Sequence, residues 1–287
     1  MRSQADPDGK LSAPTRGAET AGSKPHAAAP GSHLLFIDDD AYMRRLISAR
    51  FEHLGARVDV VASAQACLGY LEHTRPDVIV SDAVMPAMDG FDLCRRLKAD
   101  PAFRDIPFII LTALTRDLPQ RSLQAGADDY LSKLECDVVF RLRSRLAFQL
   151  GARRRNRAAA PPAATPADLL VVSASRSLPT QLGTHLHKDG IRPREAGTLA
   201  DAQRELHERI PDLLLLDLGF GQKAVLEWIM RLRTLPGCAE LPVLAVASKD
   251  DEAWLAGLEP HIQDRLTKPL DGQESRHRVA LWLQIVR

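Results

Sequence analysis

The sequence predicts an α/β protein made of two tandem units, each a parallel five-stranded sheet covered by helices on both faces. Three observations lead there: short apolar runs alternate with longer amphipathic segments, a Pro/Ala-rich stretch divides the chain past its middle, and the same landmarks recur at a constant offset on either side of that stretch. At 287 residues the chain is comfortable for two domains, which usually hold about 100–200 residues each. Hydrophobic residues at 45% and charged residues at 26% are ordinary for a globular chain and argue against a fibrous or largely disordered one.

The elements follow in order. Residues 1–32, rich in Ala, Pro, Gly and Ser without apolar periodicity, cannot bury enough surface to offset their ordering entropy and are read as a disordered tail. Strands are predicted at 34–37, 57–61, 78–81, 108–111 and 129–131. Between them Met43, Leu46, Ile47, Phe51 and Leu54 recur at helical spacing, as do Leu93, Cys94 and Leu97, and then Val139, Leu142 and Leu146. Strands alternating with helices imply a parallel sheet buried on both faces. The first unit is placed at 33–150 and a linker at 151–167, where the basic run Arg153, Arg154, Arg155 and Arg157 leads into AAAPPAATPAD. The second unit takes 168–287. Pro76-Asp77, Asp82, Pro107 and Lys133 return as Pro211-Asp212, Asp217, Pro242 and Lys268, each 135 residues on, which indicates duplication of one fold. Pro193 falls in the predicted second strand of the second unit, a residue that an edge strand tolerates and a central one does not. That points to the flavodoxin-like strand order 2-1-3-4-5 in a (βα)5 unit.

Ligands of open parallel sheets sit outside the carboxyl ends of the strands. There the first unit places Asp38, Asp39 and Asp40 after its first strand, Asp82 after its third, Thr112 at the end of its fourth and Lys133 after its fifth. Clustered carboxylates repel unless a cation neutralises them, and oxygen ligands without His or thiolate favour Mg²⁺. Such a site suits phosphoryl transfer to a carboxylate, with Asp82 as the nucleophile and with Lys133 and Thr112 binding phosphoryl oxygens.

The motifs FIDDD, PDVIVSDAVMPAMDG, PFIILTA and AGADDYLSK, in that order, resemble the receiver domain of two-component response regulators over about 33–150. The resemblance implies that Asp82 is the phosphoacceptor, that Asp39, Asp82 and the Val84 backbone carbonyl bind Mg²⁺ directly, and that Asp38 acts through water or orients the others. It also implies that Thr112 and Tyr130 switch position on phosphorylation. This sequence departs from the family where Leu134 follows Lys133 in place of proline. Val84 and Leu114, two residues beyond Asp82 and Thr112, offer no group to position an attacking water, so slow self-dephosphorylation is expected. In the second unit Ser173, Ala174 and Ala247 stand where Asp38, Asp39 and Thr112 would be, leaving Asp217 and Lys268. That pattern reads as a pseudo-receiver whose Asp217–Lys268 pair is structural and whose Mg²⁺ affinity is very weak.

The function expected is that of a response regulator in a phosphorelay, Mg²⁺-dependent phosphorylation of Asp82 switching a protein-interaction surface. Its partners would be a sensor histidine kinase or phosphotransfer protein, a downstream protein target and a second copy of itself in a homodimer. No enzymatic activity beyond self-phosphorylation is expected. A second reading makes the chain the regulatory tandem-receiver partner of a diguanylate cyclase or other enzyme output on a separate chain. A third, a flavin- or nucleotide-binding flavodoxin-like protein, is disfavoured because a phosphate-bearing cofactor wants Gly-rich loops and helix N-termini rather than three aspartates. A net charge of +1 gives no global field for nucleic acid or membrane, and the short arginine run reads as a solvated face. Cys67, Cys94, Cys136 and Cys238 lie too far apart in sequence to suggest zinc or a disulfide framework, and no apolar run reaches the length of a membrane span, so the cytoplasm is the expected location.

Overall fold

Strand residues that alternate in direction yet are apolar at nearly every position must be covered on both sides, and this requirement sets the layering. The computed structural model describes residues 32–113, 118–156 and 166–287. The tail up to Gly31, Leu114 and most of the Pro/Ala stretch lie outside the described residues. The first unit runs β1 (His33–Ile37), α1 (Ala41–Glu52), β2 (Arg57–Val61), α2 (Ala64–Leu71), β3 (Val78–Asp82), α3 (Gly90–Ala99), β4 (Phe108–Thr112), α4 (Leu118–Gln124), β5 (Asp129–Ser132) and α5 (Asp137–Asn156). The second runs β6 (Leu169–Val172), α6 (Ser177–Leu186), β7 (Arg194–Ala196), α7 (Leu199–Glu208), β8 (Leu213–Asp217), α8 (Gln222–Thr234), β9 (Val243–Ala247), α9 (Glu252–Leu258), β10 (Asp264–Thr267) and α10 (Gly272–Val286). Every strand pair is parallel, and the sheets are ordered β2-β1-β3-β4-β5 and β7-β6-β8-β9-β10, the order predicted for both units.

Alternate strand residues divide between the two faces. Leu34, Phe36, Val78, Val80, Ile109 and Leu111 pack with Ile47 and Phe51 of α1 and Phe140 of α5. Leu35, Ile37, Ile79, Phe108 and Ile110 pack with Cys67 of α2 and with Leu93, Cys94 and Leu97 of α3. Helix starts are fixed locally: Asp40, Ser63 and Asp89 accept backbone N–H groups of the first turns of α1, α2 and α3. Asp40, the third of the aspartates after β1, is thereby turned to its own helix.

The structure corrects four expectations. Pro193 precedes β7 instead of lying in it, and β7 is the sheet edge. The linker does not begin at 151, because α5 continues through Asn156; Gly151 lies so close to the Asp77 carbonyl oxygen that a Cβ would come within 2.6 Å. The basic run is not simply solvated, since Arg154 pairs with Asp128 and Arg155 with Asp77. Fourth, Leu142 and Leu146 do not cover their own sheet. With Val138 and Leu150 they form a stripe four residues apart that is buried in the cores of the second unit, while Phe140, Ala147 and Phe148 face the first. Helix α5 is thus shared by both units.

Charges close the rest of the seam. Arg278 of α10, fully buried, donates to Asp129 at 2.5 Å and lies 3.7 Å from Asp264. Arg143 donates to Glu274 at 3.0 Å, and Arg141 and Arg145 converge on the buried Glu259. Tyr130, 6% exposed, lies in this seam: its ring is 6.5 Å from that of His277 and within 5.5 Å of both the Arg143 and Arg278 guanidinium carbons.

Removing one partner of a buried ion pair costs about 3–5 kcal/mol, because the other charge is left without compensation. Arg278→Met is therefore expected to lose a stability of that order in urea unfolding, and Asp129→Asn added to it is expected to return much of the loss. A single-variant cost under about 1 kcal/mol would show that this pair does not hold the seam.

Candidate functional site

The carboxyl ends of β1, β3, β4 and β5 bring Asp38, Asp39, Asp82, Thr112 and Lys133 to one edge of the first sheet. Asp38 is fully buried, Asp82 is 8% exposed and Thr112 2%, while Asp39 faces solvent. Lys133 reaches over the strand ends, its Nζ 2.7 Å from Asp38 Oδ2 and 3.0 Å from Asp82 Oδ2. Its backbone N–H donates to the Thr112 carbonyl at 2.8 Å, which fixes the root of that side chain. Lys133–Leu134 is trans, and Leu134 stands 77% exposed.

Carboxylate oxygens of Asp38, Asp39 and Asp82 lie within 4.8 Å of one another. One ammonium neutralises one of three negative charges, and the donors are all hard oxygens, so the set fits a divalent cation of the Mg²⁺ kind. Asp38 is the least open of the three: Oδ2 accepts from Lys133 and Oδ1 from the Asp40 N–H at 2.9 Å. Asp39 faces solvent, and Asp82 Oδ1 accepts from the Ala83 N–H at 2.8 Å. Val84, whose carbonyl is the remaining predicted ligand, follows directly and is 57% exposed.

Three supporting residues were not found from sequence. Arg44, one turn into α1, donates to the carbonyls of Asp38 and Asp39 at 2.7 and 2.9 Å and so pins the acidic turn. Ser81 donates to the Asp82 carbonyl at 2.9 Å. Gly90, first residue of α3, lies so close that a Cβ there would stand 2.0 Å from the Asp82 carbonyl oxygen, so no larger residue fits beneath the Asp82 backbone. A glycine directly after the Asp89 cap was the one available signal.

The equivalent edge of the second unit is arranged otherwise. Asp217, 2% exposed, accepts from Lys268 at 2.5 Å and Gly219 N–H at 3.0 Å through Oδ1, and from Ser173 Oγ at 2.6 Å through Oδ2. Both oxygens are engaged by the protein, and Ala174 and Ala247 supply no further ligand. Lys268–Pro269 is cis.

Burial pushes the Asp82 carboxyl above the ordinary carboxylate range, with Asp38 adding to the effect, while Lys133 and the Ala83 N–H hold it back. Burial opposes the charge on Lys133, but its bonds to Asp38 and Asp82 outweigh burial and raise its pKa. A carboxyl raised on folding favours the folded state in its protonated form and loses that contribution as pH rises through the raised value. Asp82→Asn in chelator-treated protein is therefore expected to raise Tm at pH 7 by about 2–4 °C, taking the effect as about 1 kcal/mol. The gain should shrink as pH falls through the raised value and be gone below the ordinary carboxylate range, where Asp82 is protonated in both the folded and the unfolded chain. A lowered Tm would mean that the Lys133 pair outweighs burial.

A model of the response regulator receiver domain matches residues 34–138. The response regulator PleD of Caulobacter vibrioides is 29% identical over 275 residues, covering 88% of this chain and 59% of PleD, so the chain spans about three fifths of that relative's length. An uncharacterized 14.6 kDa protein of Leptolyngbya boryana is 41% identical over 101 residues, 35% of this chain and 77% of its own. Among solved structures, the receiver domain of a signal transduction histidine kinase from Syntrophus aciditrophicus is 35% identical, covering 47% of this chain and 98% of that one with a TM-score of 0.38. Over residues 34–138 the chain is thus similar to the response regulator receiver domain.

Proposed function

We propose that the chain is a phosphorelay response regulator in which Asp82 accepts a phosphoryl group and the second unit is a pseudo-receiver. The observation that carries this reading is the grouping of Asp38, Asp39 and Asp82 with the Lys133 ammonium on two of the three. In the transfer, an oxygen of the Asp82 carboxylate bonds to phosphorus of a phosphohistidine or of acetyl phosphate. The donor's P–N or P–O bond breaks, its electron pair leaves with the donor, and an acyl phosphate remains on Asp82. A Mg²⁺ ion held by Asp39, Asp82 and the Val84 carbonyl would neutralise charge on the phosphoryl oxygens. Lys133, already 3.0 Å from Asp82 Oδ2, supplies a fixed ammonium for one of those oxygens, and the Thr112 hydroxyl supplies a donor for another.

Beside this edge α1 exposes Tyr42 and Leu46 one turn apart, 70% and 44% exposed, an apolar surface on which a sensor histidine kinase or phosphotransfer partner would seat. On the far side Tyr130 lies between Arg143, Arg278 and His277. A switch through Thr112 and Tyr130 would therefore act on the seam with the second unit, and through it on a downstream protein target. The caged Asp217 supports a structural role for the second site. Among the described residues no helix is long and apolar enough to cross a membrane.

Intact mass after incubation with acetyl phosphate and Mg²⁺ tests the reading. One phosphoryl group is expected on the wild type and on Asp217→Asn and none on Asp82→Asn; phosphorylation that survives Asp82→Asn refutes the assignment. The phosphorylated protein is expected to lose its label slowly, over minutes or longer, since Val84 and Leu114 position no attacking water. Loss within seconds in phosphate-release measurements would point to a water-positioning group elsewhere.

A further inference from the structure

Beside the seam lies a cleft of about 500 Å³ between the loops that follow β5 and β10. Its lips are equivalent residues of the duplicated units, Leu134 and Pro269, both exposed. Its floor holds Arg143 and Arg265, 4% and 5% exposed, and Lys249 stands exposed at its rim. Arg265 occupies the position in β10 that Tyr130 occupies in β5.

The seam uses one part of Arg265. Its Nη2 donates to Glu135 Oε1 at 2.8 Å, whereas Nε and Nη1 have no hydrogen-bond acceptor among the described residues; the carboxylate facing Nη1, that of Glu252, is 3.7 Å away. Arg143 donates to the Tyr130 carbonyl and to Glu274 and likewise leaves Nε without an acceptor. A buried donor left unsatisfied costs free energy comparable to a lost hydrogen bond or more, and charged groups cost the most. Arg145 and Arg278, which close the seam, also leave buried donors without an acceptor among the described residues, but neither lines the cleft; the three on Arg265 and Arg143 belong to residues that do. Glu135, Cys136 and Glu252 also cluster here within 4.8 Å, but the Arg265 guanidinium between the two glutamates repels a cation.

We propose that this cleft binds a small phosphate-bearing molecule of nucleotide size, the phosphate held by Arg265 and Lys249 and the flat apolar part lying between Leu134 and Pro269. A planar guanidinium can hold two oxygens of a tetrahedral oxyanion through its fork, and a nearby ammonium can hold a third, which a carboxylate does not offer. The volume falls within the range of small-molecule sites, about 300–1,000 Å³. Glu252, its side chain 46% exposed, turns aside into solvent to release Nη1. This assignment is independent of phosphorylation at Asp82.

Calorimetry on the full chain with ADP and with inorganic pyrophosphate, in EDTA to keep metal from the Asp82 edge, tests it. Both probes are expected to bind, ADP more tightly. Arg265→Gln should weaken ADP binding about tenfold, the loss of a charge-assisted hydrogen bond. Because Arg265 also holds Glu135, two rim variants that leave the seam intact serve as the second arm: Lys249→Gln should weaken binding and Glu252→Gln should strengthen it. Absence of binding by both probes at millimolar concentration, or wild-type affinity in all three variants, overturns the proposal. Equal affinity for ADP and pyrophosphate overturns the role given to Leu134 and Pro269.

Discussion

Helix α5 has two apolar faces and therefore needs two cores. Phe140, Ala147 and Phe148 cover the first sheet, and Val138, Leu142, Leu146 and Leu150 are buried in the second unit. Each large apolar side chain so buried contributes about 1.5–3 kcal/mol relative to exposure, so the four-residue stripe would be a strong aggregation hazard on an isolated first unit. Association of the units follows from this one helix, and the ion pairs around it select the geometry. Arg278 and Arg143, equivalent residues of α10 and α5, both reach across, one to Asp129 and the other to Glu274.

The two sheet edges show what a few side chains do to otherwise equivalent backbones. Both units bring a lysine from the loop after the fifth strand to an aspartate ending the third, and in both the lysine N–H is held by the carbonyl ending the fourth strand. In the first unit two further carboxylates make the edge anionic, so attraction for a cation and a phosphoryl group follows from repulsion that Lys133 relieves only in part. In the second, Ser173 replaces a charge by a donor, and Asp217 is satisfied internally. The two edges differ without loss of fold because the core residues lie below the edge, on strand faces these side chains do not touch.

Most of the fold was legible in the sequence because its signals are local. Each first-unit strand lies within one residue of its predicted bounds, since an apolar run between turn residues has few other readings, and the constant offset carried the reading into the second unit. Asp38, Asp39, Asp82, Thr112 and Lys133 were legible because topology alone assigns residues after parallel strands to one edge. The destination of Leu142 and Leu146 was not, because helical spacing says that a face is apolar and not which body covers it. The roles of Arg278 and Arg143 were hidden for a related reason: an arginine on an amphipathic helix reads as solvated until its partner, more than a hundred residues away in sequence, is placed beside it. Gly90 and Arg44 support the site through backbone carbonyls, which leave no pattern in side-chain chemistry.

The closed hydrogen-bond set around Asp217 also bears on how that edge answers substitution. Returning aspartate to position 173 alone would replace a donor by a second buried carboxylate against Asp217 with a single lysine nearby, and returning it to 174 alone would leave Ser173 still capping the acceptor. Neither single change rebuilds the three-carboxylate cluster of the first unit, so the second edge differs from the first by more than any one side chain.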